Sequence, residues 1–170
     1  SRDNPEVEAA FSAGLPYASM PEVFAALLIG DKADCTTSIV AAGTHGKTTT
    51  TTATAFLLES AGRKPGYFIG GAPVDLPSGI RPLDESTPLE QRSVVLEGDE
   101  YDSAFFAKWP KFHSYRPDIV IVTSLEFDHG DIYRSIEEIE DEFTKLIRRI
   151  PAGGTALVCD AWPRLIALAG

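Results

Sequence analysis

The residues best equipped for chemistry lie in "AAGTHGKTTTTT", positions 41–52. They fit the phosphate-loop pattern G-x-x-x-x-G-K-[ST] except that Ala41 stands in place of the first glycine. Gly43 and Gly46 let backbone N–H groups converge on phosphate oxygens with no Cβ in the way. A helix starting near Lys47 would aim its positive end at the same oxygens. Lys47 supplies a mobile point charge for the β and γ phosphates, and the Thr48 hydroxyl is placed to ligate Mg²⁺. The expected nucleotide cradle is therefore Gly43, Thr44, His45, Gly46, Lys47, Thr48 and Thr49. His45 is given no catalytic role, and Lys47→Ala is expected to remove activity with the fold intact. The plainer reading is a glycine-rich strand-to-helix turn with a surface lysine.

Two acidic runs follow apolar stretches: "EGDEYD", with Glu97, Asp99, Glu100 and Asp102, and "LEFDHGD", with Glu126, Asp128, His129 and Asp131. Parallel strands would bring both to the rim of the phosphate loop, because ligands in open α/β sheets collect at the carboxyl ends of strands. So much negative charge beside a polyphosphate is unfavourable unless divalent cations lie between. Glu97 terminates its apolar run and is expected to be half-buried and directed. Asp102 and Asp131, taken singly, read as solvated. His129, flanked by acids, reads as functional, and His113 in "KWPKFHSY" as surface or packing.

These residues need elements to hold them. Helices are expected over residues 5–13, 21–29, 47–61, 135–150 and 161–169, and buried strands over 37–42, 93–97, 118–124 and 155–160, with a shorter one in "GYFIGGAPV" (66–74). In the 135–150 helix Ile136, Ile139, Phe143, Leu146, Ile147 and Ile150 form one stripe, and Ser135 with Glu138 suggests a capping box. Residues 75–91 have a loop's composition. Strands alternating with helices imply an α/β fold: a three-layer, P-loop-type domain with a mainly parallel central sheet flanked by helices.

The 170 residues suffice for one sizeable core, and the formal charge of −10 disfavours a nucleic-acid or anionic-membrane surface. No apolar run approaches a membrane span, so a cytoplasmic protein is expected. Cys35 and Cys159 read as buried free thiols.

In this order, "GTHGKTTT", "GDEYDSAFF" and "LEFDHGDIY" resemble the motifs of the Mur ligases, ATP-dependent amide-forming enzymes of bacterial cell-wall precursor synthesis. The resemblance runs over nearly the whole chain. Within the family, "EGDEYDSAFFAKWPKFHSYRPDIVI" is similar to the branch that joins L-Ala-γ-D-Glu-meso-diaminopimelate to UDP-N-acetylmuramate in peptidoglycan recycling. The alanine-adding branch is the nearest alternative, and a nucleotide-switched binding module the third. The resemblance implies ATP and Mg²⁺ as cofactors, with Lys47, Glu97 and His129 catalytic and Thr48, Glu97 and His129 at the metals. It further implies that residues 1–20 are a linker or remnant of an N-terminal UDP-sugar domain and residues 21–170 the central ATP-binding domain. The N- and C-terminal domains would lie elsewhere in the parent enzyme, leaving this piece inactive alone. Ser124 stands where many members have Asn. Thr144 stands near a lysine that several members carry carbamylated, and Lys145 is not assigned that role.

Overall fold

The computed structural model describes residues 4–30, 36–84, 86–127 and 132–169. In chain order these form α1 (Pro5–Ser12), α2 (Met20–Phe24), β1 (Thr37–Ala42), α3 (Lys47–Ser60), β2 (Gly66–Phe68), β3 (Ile80–Arg81), β4 (Ser93–Gly98), β5 (Ile119–Val122), α4 (Ile136–Arg148), β6 (Thr155–Val158) and α5 (Pro163–Ala169). The strands make one six-stranded sheet in the order β3-β2-β4-β1-β5-β6, parallel throughout except where β3 meets β2. The α/β class and mainly parallel sheet read from the sequence are those of the structure. The chain lays β2, β3 and β4 on one side of β1 and β5 and β6 on the other, so a crevice opens at the carboxyl ends of the central strands.

Val40, Ala41, Val94, Val95 and Leu96 are fully enclosed, as strands covered on both faces require. Alternate residues face opposite layers. Ile39, Val95 and Tyr67 pack with Ala55 of α3, while Val40, Val94, Leu96, Val120 and Val122 meet Ile139, Phe143 and Leu146 of α4 and Leu165 of α5. Each such large side chain contributes roughly 1.5–3 kcal/mol by leaving water. The same period of two puts Glu97, two residues beyond Val95, on the face that α3 covers.

The differences from the sequence reading have local causes. The helix expected over 21–29 is α2 followed by a π turn at Ala25–Ile29, closed where the Gly30 N–H donates to Ala25 O at 3.1 Å. β3 lies inside the segment read as loop, because a two-residue edge strand next to Pro82 has too little periodicity to show. β5 ends at Val122 rather than 124, since Thr123 and Ser124 turn their hydroxyls to another task. The capping box does not form: Ser135 makes no side-chain cap bond, and Glu138 instead accepts the Arg134 N–H at 2.8 Å. Among the described residues no helix is long and apolar enough to cross a membrane. Cys159 is a free, half-buried thiol, and Cys35 lies outside the described residues.

Candidate functional site

The loop after β1 turns through Gly43 at φ 135° and Gly46 at φ 82°, backbone that side-chain-bearing residues rarely adopt. A Cβ on Gly43 would also lie 2.2 Å from Thr123 Oγ1 and 2.9 Å from Ser124 N. Gly46 caps the start of α3, whose first-turn N–H groups have no intrahelical acceptor and face the loop's mouth.

The residues after β5 brace this loop. The His45 N–H donates to Ser124 Oγ at 2.8 Å, the Thr44 N–H to Ser124 O at 3.3 Å, and the Glu126 N–H to Thr44 Oγ1 at 2.8 Å. The Thr123 hydroxyl lies 2.5 Å from His45 O. Ser124, without a role from sequence alone, is thus a buried brace. Thr44 and His45 spend their N–H groups on it rather than on the mouth of the loop. The His45 ring is exposed, 3.8 Å from Glu126 Oε2.

Lys47 is only 9% exposed. Its ammonium donates to Gly43 O at 2.7 Å, Thr44 O at 3.3 Å and Glu100 Oε2 at 2.8 Å, so it folds back across the loop onto a fully buried carboxylate. Thr48 is exposed, and its hydroxyl donates to Glu97 Oε1 at 2.7 Å. Glu97, expected half-buried, is 5% exposed and opposite Ala41, whose small side chain leaves it room. The Gly70 N–H donates to the other oxygen, Oε2, at 2.6 Å, and a Cβ there would come within 3.2 Å of the carboxylate. The turn after β2 therefore aims Glu97 at α3.

Three acids of the first run are matched by lysines. Asp99 pairs with Lys111 at 2.7 Å, Glu100 with Lys47 at 2.8 Å, and Asp102, read as solvated, with Lys108. Lys111 also sits 4.3 Å above the Tyr101 ring. Burial, then Asp99, pushes the Tyr101 phenol up to about 12. Burial likewise raises Tyr115 and Tyr133, and the Tyr133 hydroxyl donates to the Glu100 carbonyl. His113, read as surface or packing, pairs with Glu142 of α4, whose carboxyl it holds below the usual range.

Some of the later threonine hydroxyls turn back onto their own helix. Thr51, Thr52 and Thr54 donate to the carbonyls of Lys47, Thr48 and Thr50 at 2.8, 2.7 and 2.7 Å. The buried Thr51 hydroxyl is thus satisfied by its own helix. Thr49 is exposed and, with Thr48, Thr52, Phe56 and Ala72, lines a cleft of about 400 Å³ beside the loop. Asp128, His129 and Asp131 lie outside the described residues.

Thr48 and Glu97 present two hard oxygens at the start of a helix, a donor set that suits a small divalent cation such as Mg²⁺. Among the described residues no three His, Cys, Asp or Glu side chains gather to hold an ion unaided. An ion here would have to share its shell with phosphate oxygens and water, the ordinary habit of Mg²⁺.

The profile of the Mur ligase middle domain matches residues 41–167. The UDP-N-acetylmuramate–L-alanyl-gamma-D-glutamyl-meso-2,6-diaminoheptandioate ligase of Escherichia coli (strain K12) is 39% identical over 164 residues, covering 96% of this chain and 33% of that protein. The UDP-N-acetylmuramate–L-alanine ligase of Arthrobacter sp. (strain FB24) is 36% identical over 168 residues, covering 98% and 32%. The crystal structure of UDP-N-acetylmuramate:L-alanyl-gamma-D-glutamyl-meso-diaminopimelate ligase from Neisseria meningitides superposes with a TM-score of 0.83 at 35% identity, over 99% of this chain and 52% of that one. The chain spans about a third of the length of these curated relatives.

Proposed function

This chain belongs to the Mur ligase middle-domain family, and on that premise we propose that it is the central ATP-binding domain of a ligase joining L-Ala-γ-D-Glu-meso-diaminopimelate to UDP-N-acetylmuramate. The observation that carries the reading is the convergence of Lys47, Thr48 and Glu97 where β1 and β4 deliver them to the start of α3. Residues 1–20 are a linker or domain remnant, residues 21–170 the nucleotide domain, and the remaining domains of the parent bring the UDP-sugar and the amine.

In the reaction a muramoyl carboxylate oxygen attacks the γ-phosphorus of ATP and ADP departs. The peptide amine then attacks the acyl carbon, loses its proton, and phosphate leaves. Gly46 and the first turn of α3 cradle the phosphates with N–H groups. Lys47 places positive charge where the transferring phosphoryl oxygens gain negative charge. Thr48 and Glu97 would hold Mg²⁺, with His129 contributing to a second ion. When bound, the metal draws charge from the phosphoryl oxygens. Ser124, Thr123 and Gly70 do no chemistry; they fix the loop and Glu97.

The peptide-adding activity is favoured by the relatives of that name at 39% and 38% identity. The alanine-adding activity is the second reading, supported by relatives at 36% and 37% identity over 168 residues and by one at 39% over a shorter stretch of 131. Phosphate release by the full-length parent with ATP, UDP-N-acetylmuramate and either tripeptide or L-alanine separates them. Activity with alanine alone defeats the first reading, and activity with neither defeats both.

A further inference from the structure

An ammonium has three donors, and all three of Lys47 are engaged: by Gly43 O at 2.7 Å, Thr44 O at 3.3 Å and Glu100 Oε2 at 2.8 Å. A phosphate oxygen gains a donor from Lys47 only by displacing one of these acceptors. The two carbonyls belong to the loop and move only with it. Glu100 is the one anionic acceptor of the three, and it competes with phosphate for the same charge. It cannot swing away into water, because it is 0% exposed. Its backbone is fixed as well, since its carbonyl accepts from the Tyr133 hydroxyl.

Resting on the phosphate-loop reading, we propose that Glu100 is a positioning residue for Lys47, an internal anion that holds the ammonium against the loop and that the polyphosphate must outcompete. It fixes where the charge waits and lowers the affinity of the site for phosphate, which favours release of the spent nucleotide. Its own role in the sequence is masked by the neighbouring acids, among which nothing distinguishes it.

The test uses the full-length parent with Mg²⁺ and inorganic tripolyphosphate as the probe, followed by titration calorimetry, with adenosine as the phosphate-free control. Glu100→Gln keeps an acceptor for Lys47 but removes the competing charge. It should tighten tripolyphosphate binding by about tenfold, which is ~1.4 kcal/mol, and leave adenosine unchanged. A loosened fold would weaken tripolyphosphate binding instead. Unchanged or weaker binding in a folded Glu100→Gln protein overturns the proposal. Should Glu100→Gln fail to fold, Glu100→Asp draws the carboxylate back from the ammonium and should tighten binding in the same direction by a smaller factor; no tightening there is equally fatal. Wild-type binding that is lost in Lys47→Ala, with no effect of either Glu100 variant, sinks this inference alone. If wild type and Lys47→Ala both fail to bind, the phosphate-loop reading goes with it.

Discussion

Replacing Lys47 with methionine tests how far the site is also part of the fold. From sequence alone the change touches activity only. The structure adds a stability cost, because Lys47 is 9% and Glu100 0% exposed and they meet at 2.8 Å. Methionine keeps the packing volume of the stem but takes the ammonium from a buried carboxylate and a hydrogen bond from the Gly43 carbonyl at 2.7 Å. Breaking one side of a buried pair costs about 3–5 kcal/mol, since the remaining charge stays out of water. Adding Glu100→Gln removes that stranded charge and should restore about 2 kcal/mol. Urea denaturation of wild type, both single variants and the double variant closes the cycle. A Lys47→Met protein within about 0.5 kcal/mol of wild type, or a double variant no more stable than Lys47→Met, refutes the reasoning.

Gly43→Ala should destabilise by about 2–4 kcal/mol in the same denaturation assay, because the new Cβ meets Thr123 Oγ1 at 2.2 Å and Ser124 N at 2.9 Å on a backbone at φ 135°. Ser124→Ala should cost about 1–2 kcal/mol, by removing the acceptor 2.8 Å from the His45 N–H, with a matching fall in the thermal midpoint. Tyr101 should ionise near pH 12 by tyrosinate absorbance. Its folded pKa is raised, so its contribution to stability is complete below the ordinary phenol value of 10.0 and is lost as pH rises toward about 12. On the acid side Glu142, held low first by His113, contributes stability above its usual 4.5 that is lost as pH falls below that value, and His113→Ala should flatten this limb of the pH–stability curve.

What the sequence determined by itself is what repeats or punctuates. Apolar runs at 37–42 and 93–97 announced buried parallel strands, the 135–150 stripe announced α4, and the glycines before Lys47 announced a strand-to-helix phosphate loop. Because β-strand side chains alternate, even the direction of Glu97 toward α3 follows once β4 is placed. Only the tertiary structure decided the partners. Ser124 braces His45 across 79 residues, Glu97 takes the Gly70 N–H across 27, and Glu100 rather than its acidic neighbours faces Lys47 across 53. No local pattern encodes such pairings, because they depend on which strand ends lie side by side, and the order β4-β1-β5 is set by how two apolar faces are covered at once. The run of threonines shows both halves. Thr48 was marked by its place after Gly-Lys, whereas the burial of Thr51 and its bond to Lys47 O emerge only in the fold.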